Sequence, residues 1–173
     1  AAIQSGRKLV IAERAIVIGS FAKTFTTTGW KVGWAAAPKL LSAEVQSIHQ
    51  WVTFAVNGAI QMAYAEMLRN DPECRSIGEF YQRKRDLFLS LIGGSRFQPL
   101  PCRGTFYQMV DYSAITTDRD TDVAMWLLKE HGVASIPPSS FLYGDEPAPP
   151  ILRLCFAKRD ETLERAAERL RKV

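Results

Sequence analysis

Two lysines eight residues apart, Lys23 and Lys31, stand in the run SFAKTFTTTGWKVGW from Ser20 to Trp34. Phe21 and Phe25 flank Lys23, and apolar surroundings favour the neutral form of an amine. A neutral lysine is a nucleophile that condenses with a carbonyl to a Schiff base and, once freed, moves protons. Ser20, Thr24, Thr26, Thr27 and Thr28 add hydroxyl donors and Lys31 adds a fixed positive charge, a donor set suited to a phosphate. Gly29 and Gly33 let the backbone turn sharply or approach a ligand. The same residues also fit a plain strand connection with two lysines whose stems lie along apolar surface.

A second charged group sits in an apolar strand pattern, ILRLCFA, from Ile151 to Ala157. Alternation puts Arg153 on the face of Ile151 and Cys155, where a guanidinium needs an anion. On the pattern alone, a structural ion pair is the favoured reading. His49 reads as a surface helix residue and Phe54 as core. Phe106 and Tyr107, after Gly104, read as strand aromatics of the core or as lining of a pocket.

The elements that must hold these residues follow from periodicity. Ala15–Ser20 predicts a strand buried on both faces, and Lys31–Pro38 a second strand ended by proline. Ser42 reads as the N-cap of a helix carrying Val45, Ile48, Val52 and Val56; Asn57-Gly58 interrupts it, and it resumes through Met67 to Asn70-Asp71-Pro72. Beyond Pro72 the stripe of Ile77, Phe80, Tyr81, Leu87, Phe88 and Leu91 predicts a helix ending at Gly93-Gly94, the start of a second unit. Strands at Arg96–Leu100 and Thr105–Tyr112 precede a helix from Thr121 to His131 closed by Gly132. A short strand at Val133–Ile136, a Pro-rich loop, the Arg153 strand and a helix capped by Asp160 complete an α/β or α+β order without repeats.

Composition bounds the function. The 173 residues are 47% hydrophobic and 23% charged, enough apolar material for a real core. No run approaches the length of a membrane span and no secretory leader is readable, so a cytoplasmic protein with no membrane partner is expected. Cys74, Cys102 and Cys155 are odd in number and lack metal-ligand spacing, so buried free thiols are expected and no metal site. The net charge of +4 is dispersed among acids, and even Arg83-Lys84-Arg85 runs into Asp86, a solvated helix face that argues against nucleic acid as a partner. The start, with no initiator Met, suggests a processed or partial chain.

The run SFAKTFTTTGWKVGW closely resembles the lysine signature of fold-type I pyridoxal-phosphate aminotransferases of class I. The segments HQWVTFAVNGAIQMAYAEML, GTFYQMVDYS, HGVASIP and ILRLCFAKRDETLERAAERL are similar to later segments of that family in the same order, most of all its methionine aminotransferase and kynurenine/glutamine transaminase branch. The resemblance spans essentially the whole chain. It implies transfer of an amino group from an amino acid of methionine, glutamine or aromatic type to a 2-oxo acid. Lys23 falls on the lysine that binds pyridoxal 5'-phosphate as a Schiff base and moves the substrate's α-proton. Ser20 and Lys31 fall on phosphate-holding positions, with Lys31 in place of the arginine of many relatives, a point charge instead of a fork.

Arg153 falls on the arginine that clasps the substrate carboxylate, and His49, Phe54 and Phe106 on positions lining the substrate pocket, the first two near a dimer interface. The turn from Pro137 to Phe141 resembles a loop at the site's mouth and receives no catalytic role. The family's remaining cofactor contacts lie upstream of its lysine, so the chain is expected to be the carboxy-terminal part of such an enzyme. Residues 1–72 would be the end of the large cofactor-binding domain and residues 73–173 the small domain. Alone it is expected to bind cofactor weakly and to associate as a homodimer or with a complementary amino-terminal part. The same residues would also serve a carbon-sulfur β-lyase or a non-catalytic pyridoxal-phosphate domain of a transcription regulator.

Overall fold

The apolar run ahead of Ser20 forms β1 (Val17–Ser20), and the run after Lys31 forms β2 (Gly33–Ala36). This is a computed structural model that describes residues 13–70, 73–143 and 148–173. The two strands pair antiparallel, Ser20 opposite Gly33 and Val17 opposite Ala36. A strand buried on both faces was expected here, and the structure corrects this: Ile18 is 79% exposed. An apolar, β-branched run reports that a strand suits an apolar cover, not where that cover comes from.

Between the strands lie the single turn α1 (Phe21–Thr24) and the 3-10 turn Thr28–Trp30. α2 (Lys39–Val52) starts ahead of the expected Ser42 cap. Pro38 sits at the cap, its carbonyl accepting from the Ser42 N–H at 2.9 Å, and the Ser42 hydroxyl donates back to Ala37 O at 2.9 Å. A serine inside the first turn can bond backward in this way, which sequence alone does not separate from an N-cap. α3 (Gly58–Asn70) is entered through Asn57, whose Oδ1 accepts from the Ile60 N–H at 3.2 Å. The expected stop at Asp71-Pro72 lies outside the described residues.

The chain divides into two compact units, Ala1–Ile77 and Gly78–Val173. In the first, Tyr64 of α3 is the buried centre: its ring lies 4.7 Å from Phe21, 5.3 Å from Trp30 and 6.1 Å from Phe25, and its hydroxyl bonds that of Thr27. α4 (Glu73–Ile92) leads into the second unit, as the stripe ending at Gly93-Gly94 predicts.

There β3 (Gln98–Pro99), β4 (Tyr107–Asp111) and β5 (Ile151–Cys155) form an antiparallel sheet in that order. Alternation is clean: Gln108, Val110, Leu152 and Leu154 are buried, while Tyr107, Met109, Arg153 and Cys155 share the half-buried face. α5 (Asp120–His131) and α6 (Asp160–Leu170) complete the unit. Leu163, Ala167 and Leu170 join Phe88, Ile92, Val110, Leu127 and Leu152 in one core. Gly132, at φ +62°, ends α5 with its N–H donating to Leu128 O at 3.0 Å.

Four local expectations are corrected in this unit. The strand expected at Val133–Ile136 contracts to one antiparallel bridge, Ile136 to Arg153, because Pro137 and Pro138 have no N–H to extend a ladder. Asp160 is the first residue of α6, not its cap, and its carboxylate pairs with Lys84. The basic run is therefore not simply solvated, since Arg85 also bonds Asp86 and donates to Cys102 O at 3.0 Å. Cys102 and Cys155 are free thiols but only half-buried.

Candidate active site

The antiparallel pairing of β1 and β2 brings Ser20 and Lys31 to the same end of the ribbon, for Ser20 faces Gly33 and the next N–H, that of Phe21, donates to Val32 O at 3.3 Å. This register admits only glycine at position 33, where a Cβ would stand 2.5 Å from Gly19 O. Ser20 caps α1, its Oγ accepting from the Ala22 N–H at 3.2 Å, which leaves the hydroxyl able to donate. Lys31 follows the 3-10 turn in the left-handed region, at φ +54°, an uncommon place for a side chain and typical of residues whose position matters more than their comfort.

Lys23 is exposed, which corrects the expectation that its phenylalanine neighbours desolvate it. Residues two apart on a helix project from opposite sides, so Phe21 and Phe25 turn to Tyr64 while Lys23 points away from them. The hydroxyls also differ from one another. Thr24 donates to Ser20 O at 3.4 Å, Thr26 donates to Phe25 O at 2.7 Å, and Thr27 is engaged with Tyr64. Two exposed amines and the hydroxyls of Ser20 and Thr28 remain as donors, a set that suits an anionic phosphate group.

In the second unit, Arg153 has its guanidinium carbon 4.2 Å from the centre of the Tyr107 ring and 4.9 Å from that of Phe141. Its Nε is buried without a hydrogen-bond partner, and no acid among the described residues pairs with it. The structural acid that the strand pattern favours is thereby not found among the described residues. A guanidinium carries its N–H donors in one plane, which is how it grips a carboxylate with two parallel bonds.

Phe106 stacks between Tyr81 at 5.6 Å and Tyr107 at 4.4 Å, packed on the core, so in this unit it backs the ring that covers Arg153. His49 and Phe54 stand at the end of α2 in the first unit. The His49 carbonyl accepts from the N–H groups of Thr53 and Phe54, at 2.9 and 3.0 Å. Phe54, at φ +68°, is 84% exposed, which corrects its reading as core. Phe141 was missed as a partner of Arg153. Only its place after two prolines marks a fixed turn, and nothing in the sequence relates it to a strand twelve residues on.

The chain from residue 2 to residue 170 matches the family model for aminotransferases of class I and II. It is 46% identical to a methionine aminotransferase of Escherichia coli, over 98% of this chain and 45% of the relative. It is 34% identical to a kynurenine–oxoglutarate transaminase of Dictyostelium discoideum, over 93% of this chain and 42% of the relative. The solved structure of an E. coli methionine aminotransferase superposes with a TM-score of 0.88 at 46% identity, covering 95% of this chain and 43% of that one. That of N-succinyldiaminopimelate aminotransferase from Mycobacterium tuberculosis gives 0.80 at 34% identity, over 94% and 43%. The chain thus spans a little under half the length of the relatives it matches, from the lysine run through the guanidinium strand to the last helix, and it belongs to the class I and II aminotransferase family.

Proposed function

We propose that this chain supplies the carboxy-terminal share of a pyridoxal-phosphate-dependent aminotransferase, one that moves the amino group of a methionine, glutamine or aromatic amino acid to a 2-oxo acid. The observation that carries this reading is Arg153, a guanidinium packed near two aromatic rings with a buried Nε that has no partner among the described residues. Similarity to a methionine aminotransferase and a kynurenine transaminase supports the substrate class. Residues 1–72 are read as the end of the large cofactor domain and 73–173 as the small domain, a reading supported by the division of the chain into two compact units after Ile77.

Pyridoxal phosphate, when bound, supplies the electron sink that acidifies the amino acid's α-carbon. The chain's own residues do the rest. Lys23 holds the cofactor through its amine and, freed, takes the α-proton and returns it at the other end of the transfer. The Ser20 hydroxyl and the Lys31 ammonium hold the phosphate. Arg153 fixes the substrate by its carboxylate and so orients the bond to the α-hydrogen. Phe106, His49 and Phe54 line the side-chain pocket. Working assemblies are a homodimer or a pairing with a complementary amino-terminal part in the cytoplasm; the exposed Ile18, Leu40, Trp51, Val52 and Phe54 of the first unit support such a cover.

The test is chemical trapping. The protein is incubated with pyridoxal phosphate, reduced with borohydride and mapped by peptide mass spectrometry. The reduced adduct is expected on Lys23 and lost in Lys23→Ala. Label retained in that variant overturns the assignment. Product analysis with a cysteine conjugate against methionine, each with a 2-oxo acid, then separates amino transfer from β-elimination, which releases ammonia and a thiol from the conjugate.

A further inference from the structure

Asp120 opens α5, yet its carboxylate is withdrawn from solvent, the residue being 3% exposed. A buried carboxylate needs donors, and both of its oxygens take them from one residue. The Ser139 N–H donates to Oδ2 at 2.8 Å and the Ser139 hydroxyl donates to Oδ1 at 2.7 Å. Ser139 belongs to the 3-10 turn Pro138–Phe141, where an N–H near the start of the turn has no partner within it. Asp120 satisfies that N–H from outside.

The turn is fastened at its other end as well. Ile136 and Arg153 exchange both backbone bonds, N–H of Ile136 to Arg153 O at 3.0 Å and N–H of Arg153 to Ile136 O at 2.9 Å. The segment from Ile136 to Phe141 is therefore tied to β5 at one end and to α5 at the other. Phe141 is 65% exposed, so core packing does not fix its ring; the backbone of the turn does. That ring is one of the two packed near Arg153.

We infer that Asp120 is a positioning residue: by gripping Ser139 it holds Phe141 over Arg153 and so sets the plane in which the guanidinium offers its N–H groups to a carboxylate. This rests on the reading of Arg153 as the carboxylate site. Replacing the carboxylate by alanine removes the acceptor for both the Ser139 N–H and the Ser139 hydroxyl, whereas an amide keeps both contacts, its oxygen accepting from the N–H and its NH2 donating to the hydroxyl oxygen.

The experiment uses the protein labelled with ¹⁵N-arginine. The Arg153 Nε–H resonance is assigned by its loss in Arg153→Lys, and propionate serves as a plain carboxylate probe. Phe141→Leu marks the resonance position without the ring. Asp120→Ala is expected to move the resonance in the same direction and to weaken propionate about tenfold, through loss of the preorganised turn, while Asp120→Asn, which keeps both contacts, is expected to change both readouts far less. Ser139→Ala is expected to give a smaller change of the same sign as Asp120→Ala, and Ser139→Thr, which keeps the hydroxyl, to restore both. If Asp120→Ala does not fold, the two Ser139 variants decide. A lowered melting temperature in Asp120→Ala and Ser139→Ala, with resonance and propionate affinity unchanged, overturns the inference. If propionate leaves the wild-type Arg153 resonance unmoved, the carboxylate reading fails, while the ring-dependent shift still decides the role of Asp120.

Discussion

The guanidinium of Arg153 lies 4.2 Å from the ring of Tyr107 on the diagonal of a strand pair, since Tyr107 faces Cys155 and Arg153 faces Met109. Diagonal neighbours on one face of an antiparallel pair are within reach of long and aromatic side chains, so this contact is a consequence of register. Phe141 supplies a second ring, its centre 4.9 Å from the same guanidinium carbon.

Removing the Tyr107 ring should loosen the arginine without touching the lysine. In an active preparation, Tyr107→Leu is expected to raise KM for the amino acid roughly fivefold, about 1 kcal/mol for a partly desolvated cation–π contact, with kcat little changed. Arg153→Lys should cost far more, because a point charge cannot replace a fork. Steady-state kinetics on both variants check the ordering, and a Tyr107→Leu enzyme with unchanged KM but reduced kcat contradicts it.

Gly33 presents the opposite case, a position where only the smallest residue fits. A Cβ would meet the Gly19 carbonyl at 2.5 Å, and backbone on the facing strand cannot swing aside as a side chain can. Gly33→Ala is expected to destabilise the chain by about 1 to 3 kcal/mol, the range for overpacking, and to separate Ser20 from Lys31. Urea denaturation measures the first effect, and loss of phosphate-dependent protection of Lys23 from borohydride labelling measures the second. Wild-type stability in this variant would mean that the strands are not paired in this register.

The regular elements of the second unit were legible because their burial is periodic. β4 and β5 alternate cleanly, and Leu163, Ala167 and Leu170 step along one face of α6. Lys23, Ser20, Lys31 and Arg153 stand out as candidates in the sequence because charged or hydroxyl groups sit there in or beside apolar runs. Three things were not. The exposure of β1 depends on what faces it, which composition does not encode. The direction of Lys23 away from Phe21 and Phe25 required knowing that Phe21–Thr24 is a helical turn and not the end of a strand. The links from Asp120 to Ser139 and from Phe141 to Arg153 join residues far apart in sequence, and an acid ahead of an apolar helix reads as a cap whatever it bonds.

Lys31 carries its charge in a left-handed conformation, at φ +54°, which costs an ordinary residue about 1 kcal/mol or more and glycine almost nothing. Lys31→Gly is therefore expected to stabilise the chain by roughly 1 kcal/mol while weakening its hold on pyridoxal phosphate. Paired measurements, a urea midpoint and a cofactor titration, should move in opposite directions. A variant both less stable and weaker in binding would show that the lysine stem contributes packing instead of bearing strain.

Tyr112 makes stability depend on pH in the alkaline range. Burial is the main cause that raises its pKa above the ordinary 10.0, followed by the nearby carboxylates of Asp120, Asp118, Asp111 and Asp122, all of which oppose a phenolate. The folded chain thus holds this proton more tightly than the unfolded chain. Its contribution to stability is complete below the unfolded value and is lost as pH rises through the folded one. Tyr112→Phe cannot ionise, but it gives up the hydrogen bond from the hydroxyl to Asp118 O at 2.9 Å. The variant should therefore be less stable at neutral pH, by about 1 kcal/mol, and this deficit should shrink as pH rises from about 9 to about 11. Taking the difference between the two proteins cancels the lysines that titrate in the same range. Urea denaturation of both across that window is the measurement, and a deficit that stays constant or grows with pH would show that Tyr112 ionises as easily folded as unfolded.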